Sequence, residues 1–244
     1  MLNKQSAVPL YVQLKRLLET QVIDGSLPPH SRVPSERELS EQYAISRMTA
    51  RQALAELIQE GRLYTSAGKG TFVAEPKIQQ SLQALTSFSE EMRARGLSPT
   101  TQLIRRHKLP ANGAVAASLR LAEGTPVVCI ERLRLADAEP MALETACLAF
   151  AGAEQLLQLD LDGSLYDILQ ERFGLSPAEA VQEFEATLAQ PGERALLHLA
   201  EGAPVLKLKR TTYDSQSRPF EYVESIYRSD RYRFIARLTR GAGL

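Results

Sequence analysis

The sequence predicts an α+β protein of two domains, and three observations carry that expectation. A helix-rich N-terminal stretch closes on two β-prone runs, Leu63-Tyr64-Thr65 and Thr71-Phe72-Val73, set around a glycine-rich turn. A polar, proline-bearing segment, Glu75-Pro76-Lys77-Ile78-Gln79-Gln80, then interrupts the apolar patterning. Beyond it the chain repeats itself: LRLAEGTPVVCIERLRL at 119–135 matches LHLAEGAPVLKLKRTTY at 197–213, displaced by 78 positions. These features place a head at residues 7–74, a linker at 75–81 and a larger domain at 82–244.

The head is justified element by element. Residues 1–8 are expected to fray. Leu10, Leu14, Leu17, Leu18 and Ile23 form one face of a first helix that starts near Pro9 and ends at Gly25. Ser35-x-x-Glu38 after Pro34 is a capping box that starts a second helix with Leu39 and Tyr43 inward. Ser46 is an N-cap for a third helix of about four turns, with Ala50, Ala53, Leu54, Leu57 and Ile58 at helical spacing until Gly61. Only Ala44 and Ile45 separate these two helices, which implies a helix-turn-helix. The hairpin that follows completes a winged helix-turn-helix.

The third helix places Arg47, Thr49, Arg51 and Gln52 on its free faces near its start, with the acids Glu56 and Glu60 toward the far end. Arg47 and Arg51 lie one turn apart, so both forks can enter one DNA major groove, where an arginine takes O6 and N7 of guanine together. A surface in which Arg37 and Arg51 only pair with Glu38 or Glu56 is the alternative.

The residues SERELS, ISRMTARQALAEL, EGRLY and GKGTFV, preceded by PLYVQLKRLLE, resemble the DNA-binding domain of the GntR family of bacterial transcription regulators over residues 7–74. That resemblance implies base or phosphate contacts from Arg37, Arg47 and Arg51, phosphate contacts from Ser46 and Thr49, and minor-groove entry by Gly68. Ser35 and Gln52 fall in the same contact set, and Lys69 adds charge at the backbone. Ala44 stands where the family often has Gly, a departure expected to cost little. Gly68-Lys69-Gly70-Thr71 is not a nucleotide-binding loop, because the preceding glycine and the following helix are missing.

Composition bounds the rest. The chain has 244 residues, 44% hydrophobic and 24% charged, with 29 basic and 29 acidic side chains. Zero net charge means that DNA affinity must come from local placement and from two copies acting together. Cys129 and Cys147 fit neither a metal spacing nor a secreted disulfide framework, and His30, His107 and His198 are scattered. No metal or cofactor is expected. No signal peptide or long apolar run appears, so a cytoplasmic protein without membrane attachment is expected.

In the larger domain each repeat reads as short helix, tight turn at Glu-Gly-x-Pro, strand, turn, strand, resuming at Pro140 and Pro219. Two such units imply a pseudo-symmetric antiparallel sheet with packed helices. Between them, Leu165, Ile168, Leu169 and Phe173 before Gly174 mark another helix starting at Asp162-Gly163-Ser164. LTSFSEEM, ERLRL, SLYDIL and EYVESIYRSDRYRF resemble the effector domain of the HutC subfamily of GntR regulators, which implies a chorismate-lyase-like fold. Within that subfamily the motifs are most similar to regulators of N-acetylglucosamine use, which respond to phosphorylated amino sugars.

The local chemistry independently suits a polar anion. Arg132 and Arg134 share one side of a strand, so two forks converge over one patch. In the second repeat their counterparts are Arg210 and Thr212. Ser164, Tyr166 and, in a loop near the domain boundary, Ser87 and Ser89 offer hydroxyls to a phosphate. Phe88 could cover an apolar sugar face. The resemblance assigns sugar contacts to Glu144, Glu221 and Tyr227. The alternative is that both arginines pair with Glu131, Glu144 or surface acids while Tyr166 and Phe88 are core.

The expected function is a homodimeric regulator, a repressor of amino-sugar genes, that binds double-stranded operator DNA under control of N-acetylglucosamine 6-phosphate or glucosamine 6-phosphate. A HutC-like sensor of a small carboxylic acid such as urocanate is the alternative. An enzyme is a remote one, because no nucleophile-base pair or cofactor loop is visible in residues 82–244.

Overall fold

The computed structural model describes residues 2–66 and 68–238. These separate into two compact units that divide after Lys77.

The first unit is three helices, α1 Leu10–Ile23, α2 Glu36–Tyr43 and α3 Arg47–Gln59, followed by the hairpin β1 Leu63–Ser66 and β2 Gly70–Val73. Arg32 adds a bridge to Phe72, so the wing gains a third short edge. Leu14, Leu18, Val33, Leu39, Ala50, Ala53, Leu54, Leu57, Leu63 and Val73 make its core. The α2 capping box forms as expected, with Ser35 N donating to Glu38 Oε2 at 2.7 Å. Two expectations fail. Ile23 is 76% exposed, because five positions after Leu18 it turns away from the inward face, and Val22 packs against the core in its place. Residues 3–8 are tied down rather than frayed: the Gln13 side chain accepts from Asn3 N and donates to Val8 O.

The second unit begins with β3 Ile78–Ser81, paired parallel with the last strand, β10 Tyr232–Ile235. Residues 78–81 are therefore sheet and not linker, which leaves Glu75-Pro76-Lys77 as the connection. The helix α4 Phe88–Ala94 follows, with Ser87 as its N-cap in a capping box with Glu90. Ser87 to Ser89, expected in a loop, thus form a helix start.

The body is a six-stranded antiparallel sheet in the order β4-β5-β6-β9-β8-β7. Its strands are β4 Pro99–Pro110, β5 Pro126–Ala136, β6 Glu139–Leu148, β7 Glu179–Leu188, β8 Pro204–Tyr213 and β9 Pro219–Arg228. The helices α5 Gly113–Leu119 and α7 Pro191–Leu197 hold equivalent places in the two repeats, and α6 Leu165–Phe173 lies between them in sequence. The duplicated unit is therefore strand-helix-strand-strand, one strand longer at its front than the matched sequence. The repeats meet where β6 pairs β9, and Thr145 opposite Glu224 is the middle of that pairing.

Cys129 and Cys147 stand opposite each other on β5 and β6 and form a disulfide, against the sequence expectation. The β5–β6 hairpin sets that register.

Candidate functional site

The head presents a polar helix start to solvent. Ser46 caps α3, accepting from Thr49 N at 3.1 Å, with its Oγ 2.8 Å from Thr49 Oγ1. Arg47, Arg51 and Gln52 are exposed. Arg51 is held by a carboxylate: its Nε donates to Glu36 Oε1 at 2.9 Å and its Nη2 to Glu36 Oε2 at 3.0 Å. Arg37 lies 3.9 Å from Glu41. The ion pairs considered from sequence do occur, but with Glu36 and Glu41 in place of Glu38 and Glu56. Both are exposed, solvent-screened pairs, weak enough to exchange for phosphate or guanine. Gly68 tops the wing at φ +72° with open space where a Cβ would be, beside exposed Lys69. Met48 is 67% exposed on the same helix start and was not singled out from sequence. Its place outside the apolar stripe was the available signal.

The second unit gathers its polar residues on one sheet face. Arg132 and Arg134 project to one side of β5, while Leu133 between them packs on the other with Leu143, Val205 and Ile226. Pairing extends that face: Arg132 is opposite Glu144 and Glu144 opposite Ser225, while Arg134 is opposite Ala142 and Ala142 opposite Tyr227. The helices α4 and α6 cover it, joined by Arg93 and Asp167 at 3.8 Å.

Arg132 Nη2 donates to the Glu144 carboxylate. Arg134 Nη2 donates to Ser89 Oγ at 2.8 Å, and its guanidinium lies 4.8 Å over the Phe88 ring. Both arginines are almost wholly buried, yet Nε and Nη1 of each have no hydrogen-bond partner among the described residues. Buried donors are normally satisfied, and orphaned ones beside a positive charge mark a place where an anion is stabilised. Burial, and then the charge of Arg132, lowers the Arg134 pKa to about 10. Burial alone would raise the Glu144 pKa, but Arg132, Arg134 and Arg210 override it and hold the carboxyl down to about 2.

A second group lies on β8 and β9. Glu221 Oε2 accepts from Thr212 Oγ1 at 2.7 Å and from the Tyr166 hydroxyl at 3.0 Å. Burial and the Glu221 charge push the Tyr166 pKa up, so its phenol remains a donor. Burial and Glu144 do the same for Tyr227, whose ring centroid is 4.8 Å from that of Tyr232. Arg210 stacks over Tyr166 at 5.7 Å.

The structure therefore brings Ser89, Phe88, Arg132, Arg134 and Glu144 together, and Tyr166 with Glu221. Ser87 and Ser164 are buried N-caps, accepting from Glu90 N and Asp167 N, so their hydroxyls already serve helix starts. The core alternative holds in part, since Phe88 and Tyr166 belong to apolar clusters, and Arg132 does pair with Glu144. Arg134 has no carboxylate at ion-pair distance among the described residues. Arg210, Thr212 and Ser225 were not chosen from sequence. Arg210 was signalled by its position, equivalent to Arg132 in the repeat.

A DNA-reading head joined to a sheet domain with buried, incompletely paired guanidinium groups is the architecture of a ligand-responsive transcription regulator. Comparison with known proteins agrees: the model for bacterial regulatory proteins of the gntR family matches residues 10–73, and that for the UTRA domain matches residues 94–233. The HTH-type transcriptional repressor NagR of Bacillus subtilis (strain 168) is 42% identical over 98% of both chains. The histidine utilization repressor of Pseudomonas putida is 33% identical over 97% of this chain and 94% of its own. The crystal structure of PhnF from Mycobacterium smegmatis superposes with a TM-score of 0.66 at 33% identity, covering 94% of this chain and 98% of that one. The chain belongs to the GntR family, in the HutC subfamily with a UTRA effector domain.

Proposed function

We propose that the protein is a homodimeric repressor of amino-sugar-utilisation genes. In this reading it binds double-stranded operator DNA and responds to N-acetylglucosamine 6-phosphate or glucosamine 6-phosphate. The observation that carries the effector class is the buried Arg132–Arg134 pair with unsatisfied N–H groups: Arg132 already holds Glu144, whereas Arg134 has only a serine hydroxyl and an aromatic face. A phosphate offers three acceptor oxygens to such donors. Full-length similarity to NagR supports the amino-sugar assignment. Two heads would read half-sites about one helical turn apart, and the sheet domains would supply the dimer. Effector closure on Ser89 would act on the DNA heads through α4 and β3, which join the site to the three-residue connection.

The test is a thermal shift of the purified chain with both sugar phosphates, the unphosphorylated sugars, and urocanate. At about 100 times its Kd the effector adds about 2.7 kcal/mol, a shift of several degrees. Stabilisation by the phosphorylated sugars alone, lost in Arg134→Met, is the expected result. Stabilisation by urocanate alone would move the protein to the second reading, a sensor of a small carboxylic acid, which similarity to the histidine utilization repressor favours.

A further inference from the structure

Arg210 stands on β8, two residues from Leu208, which is opposite Ser225; Ser225 is opposite Glu144, and Glu144 opposite Arg132. Arg210 therefore faces the same side of the sheet as Arg132 and Arg134, from the other half of the duplication. Its Nε is enclosed and has no hydrogen-bond partner among the described residues, although Tyr166, Thr212 and Glu221 beside it are all bonded to one another. Those three satisfy one another without Arg210, which only lies over the Tyr166 ring at 5.7 Å, so its enclosed Nε–H is a buried donor that the network does not use and that is left for an acceptor outside it.

We propose that Arg210 is a third guanidinium contacting the effector, and that its Nε meets an uncharged oxygen acceptor, a carbonyl or hydroxyl, at the end of the ligand remote from the anionic group bound by Arg134. This rests on the anionic effector class argued above and adds a second subsite to it. The two ends differ in what already balances their charge. At the Arg134 end the fixed partners are a hydroxyl and a ring, and the local field disfavours the cation. At the Arg210 end burial also disfavours it, but Tyr166, Glu221, Tyr227 and Glu144 outweigh burial and raise its pKa. A second anion placed there would meet Glu221 as well as Arg210, whereas a neutral oxygen gains a charge-assisted hydrogen bond at no such cost. The effector is then a molecule with one anionic terminus and neutral oxygens at the other, as in a sugar phosphate, and not a diacid.

Isothermal titration of the full chain with inorganic phosphate and with N-acetylglucosamine 6-phosphate tests this, comparing the natural protein with Arg210→Lys. Lysine keeps the charge that Glu221 and Glu144 require and removes the Nε donor. Loss of about tenfold or more in affinity for the sugar phosphate, with phosphate affinity unchanged, is expected, since a hydrogen bond to a charged group carries that much. Equal affinity for the sugar phosphate in both proteins overturns the contact. An equal fall for phosphate and sugar phosphate overturns the assignment of Arg210 to the neutral end. Binding of neither by the natural protein defeats the effector class itself, and this subsite with it. Circular dichroism melts establish that the variant folds, and its retained binding of inorganic phosphate reports that the Arg134 end of the site is intact.

Discussion

At the scale of single residues, the buried sheet face shows how far one side chain can be read without its neighbours. Glu91 on α4 is buried, 2.7 Å from Arg95 but out of line for a hydrogen bond. Burial outweighs the Arg95 charge and raises its carboxyl from 4.5 to about 7. The folded chain thus holds a proton there between about pH 4.5 and about pH 7 that the unfolded chain releases. Glu91 therefore makes stability fall as pH rises through that window, with no contribution to the slope below or above it. Glu91→Gln is expected to flatten that fall in thermal melts and to raise the midpoint above pH 7. Arg95 keeps bonds to the carbonyls of Glu91 and Gln79, so the replacement leaves it satisfied. Arg132 and Arg134 were legible as a pair because strand alternation fixes their common side. Glu91 was not, since nothing in SEEM tells which acid of a short helix is turned inward. Glu90 caps the helix start, while Glu91 is buried.

At the scale of elements, the turn between α2 and α3 carries a local conflict. Ala44 closes α2 in the left-handed region at φ 48°, with its N–H on Ser40 O and Ser40 Oγ bonded to Ile45 O. A Cβ in that region costs about 1 kcal/mol or more, so the small cost expected from sequence is an underestimate. Ala44→Gly is expected to stabilise the head by roughly 0.5 to 1 kcal/mol, part of the strain relief being offset by the freedom glycine brings to the unfolded chain. A denaturant titration followed by helical circular dichroism reads this directly. The elements of the head were legible because capping residues and apolar spacing agree at Ser35, Ser46 and Gly61. The strands β4 and β7 were not, for a physical reason: both are sheet edges. In β7, Val181 and Phe184 are exposed and fall on opposite faces, Val181 sharing its face with Glu179 and Glu183, so the apolar alternation that identifies a strand is weak. The α4 start was readable in principle, since Ser87-x-x-Glu90 has the same signature as Ser35-x-x-Glu38.

At the scale of the molecule, two compact units imply two unfolding transitions, and only one of them contains the Cys129–Cys147 bridge. That bond closes a loop with a sequence separation of 18, which a chain-entropy account values at about 3 kcal/mol. Differential scanning calorimetry with and without a thiol reductant is expected to lower the transition of the sheet unit by up to about 10 °C and leave that of the head in place. One transition that moves as a whole would show that the two units melt together. Cysteine spacing matches no known framework and so does not reveal the bridge; the β5–β6 hairpin alone brings the two positions opposite each other.

The duplication has one more consequence. Backbone that is nearly the same after a half-turn offers a small molecule two equivalent ways to lie, head first or tail first. Only side chains that differ between the halves, Arg134 against Thr212 above all, give the cradle a direction. An effector lying on this face would take its orientation from a few substitutions laid on an indifferent frame, and a frame of that kind could be re-addressed to a chemically unrelated signal without rebuilding a single strand.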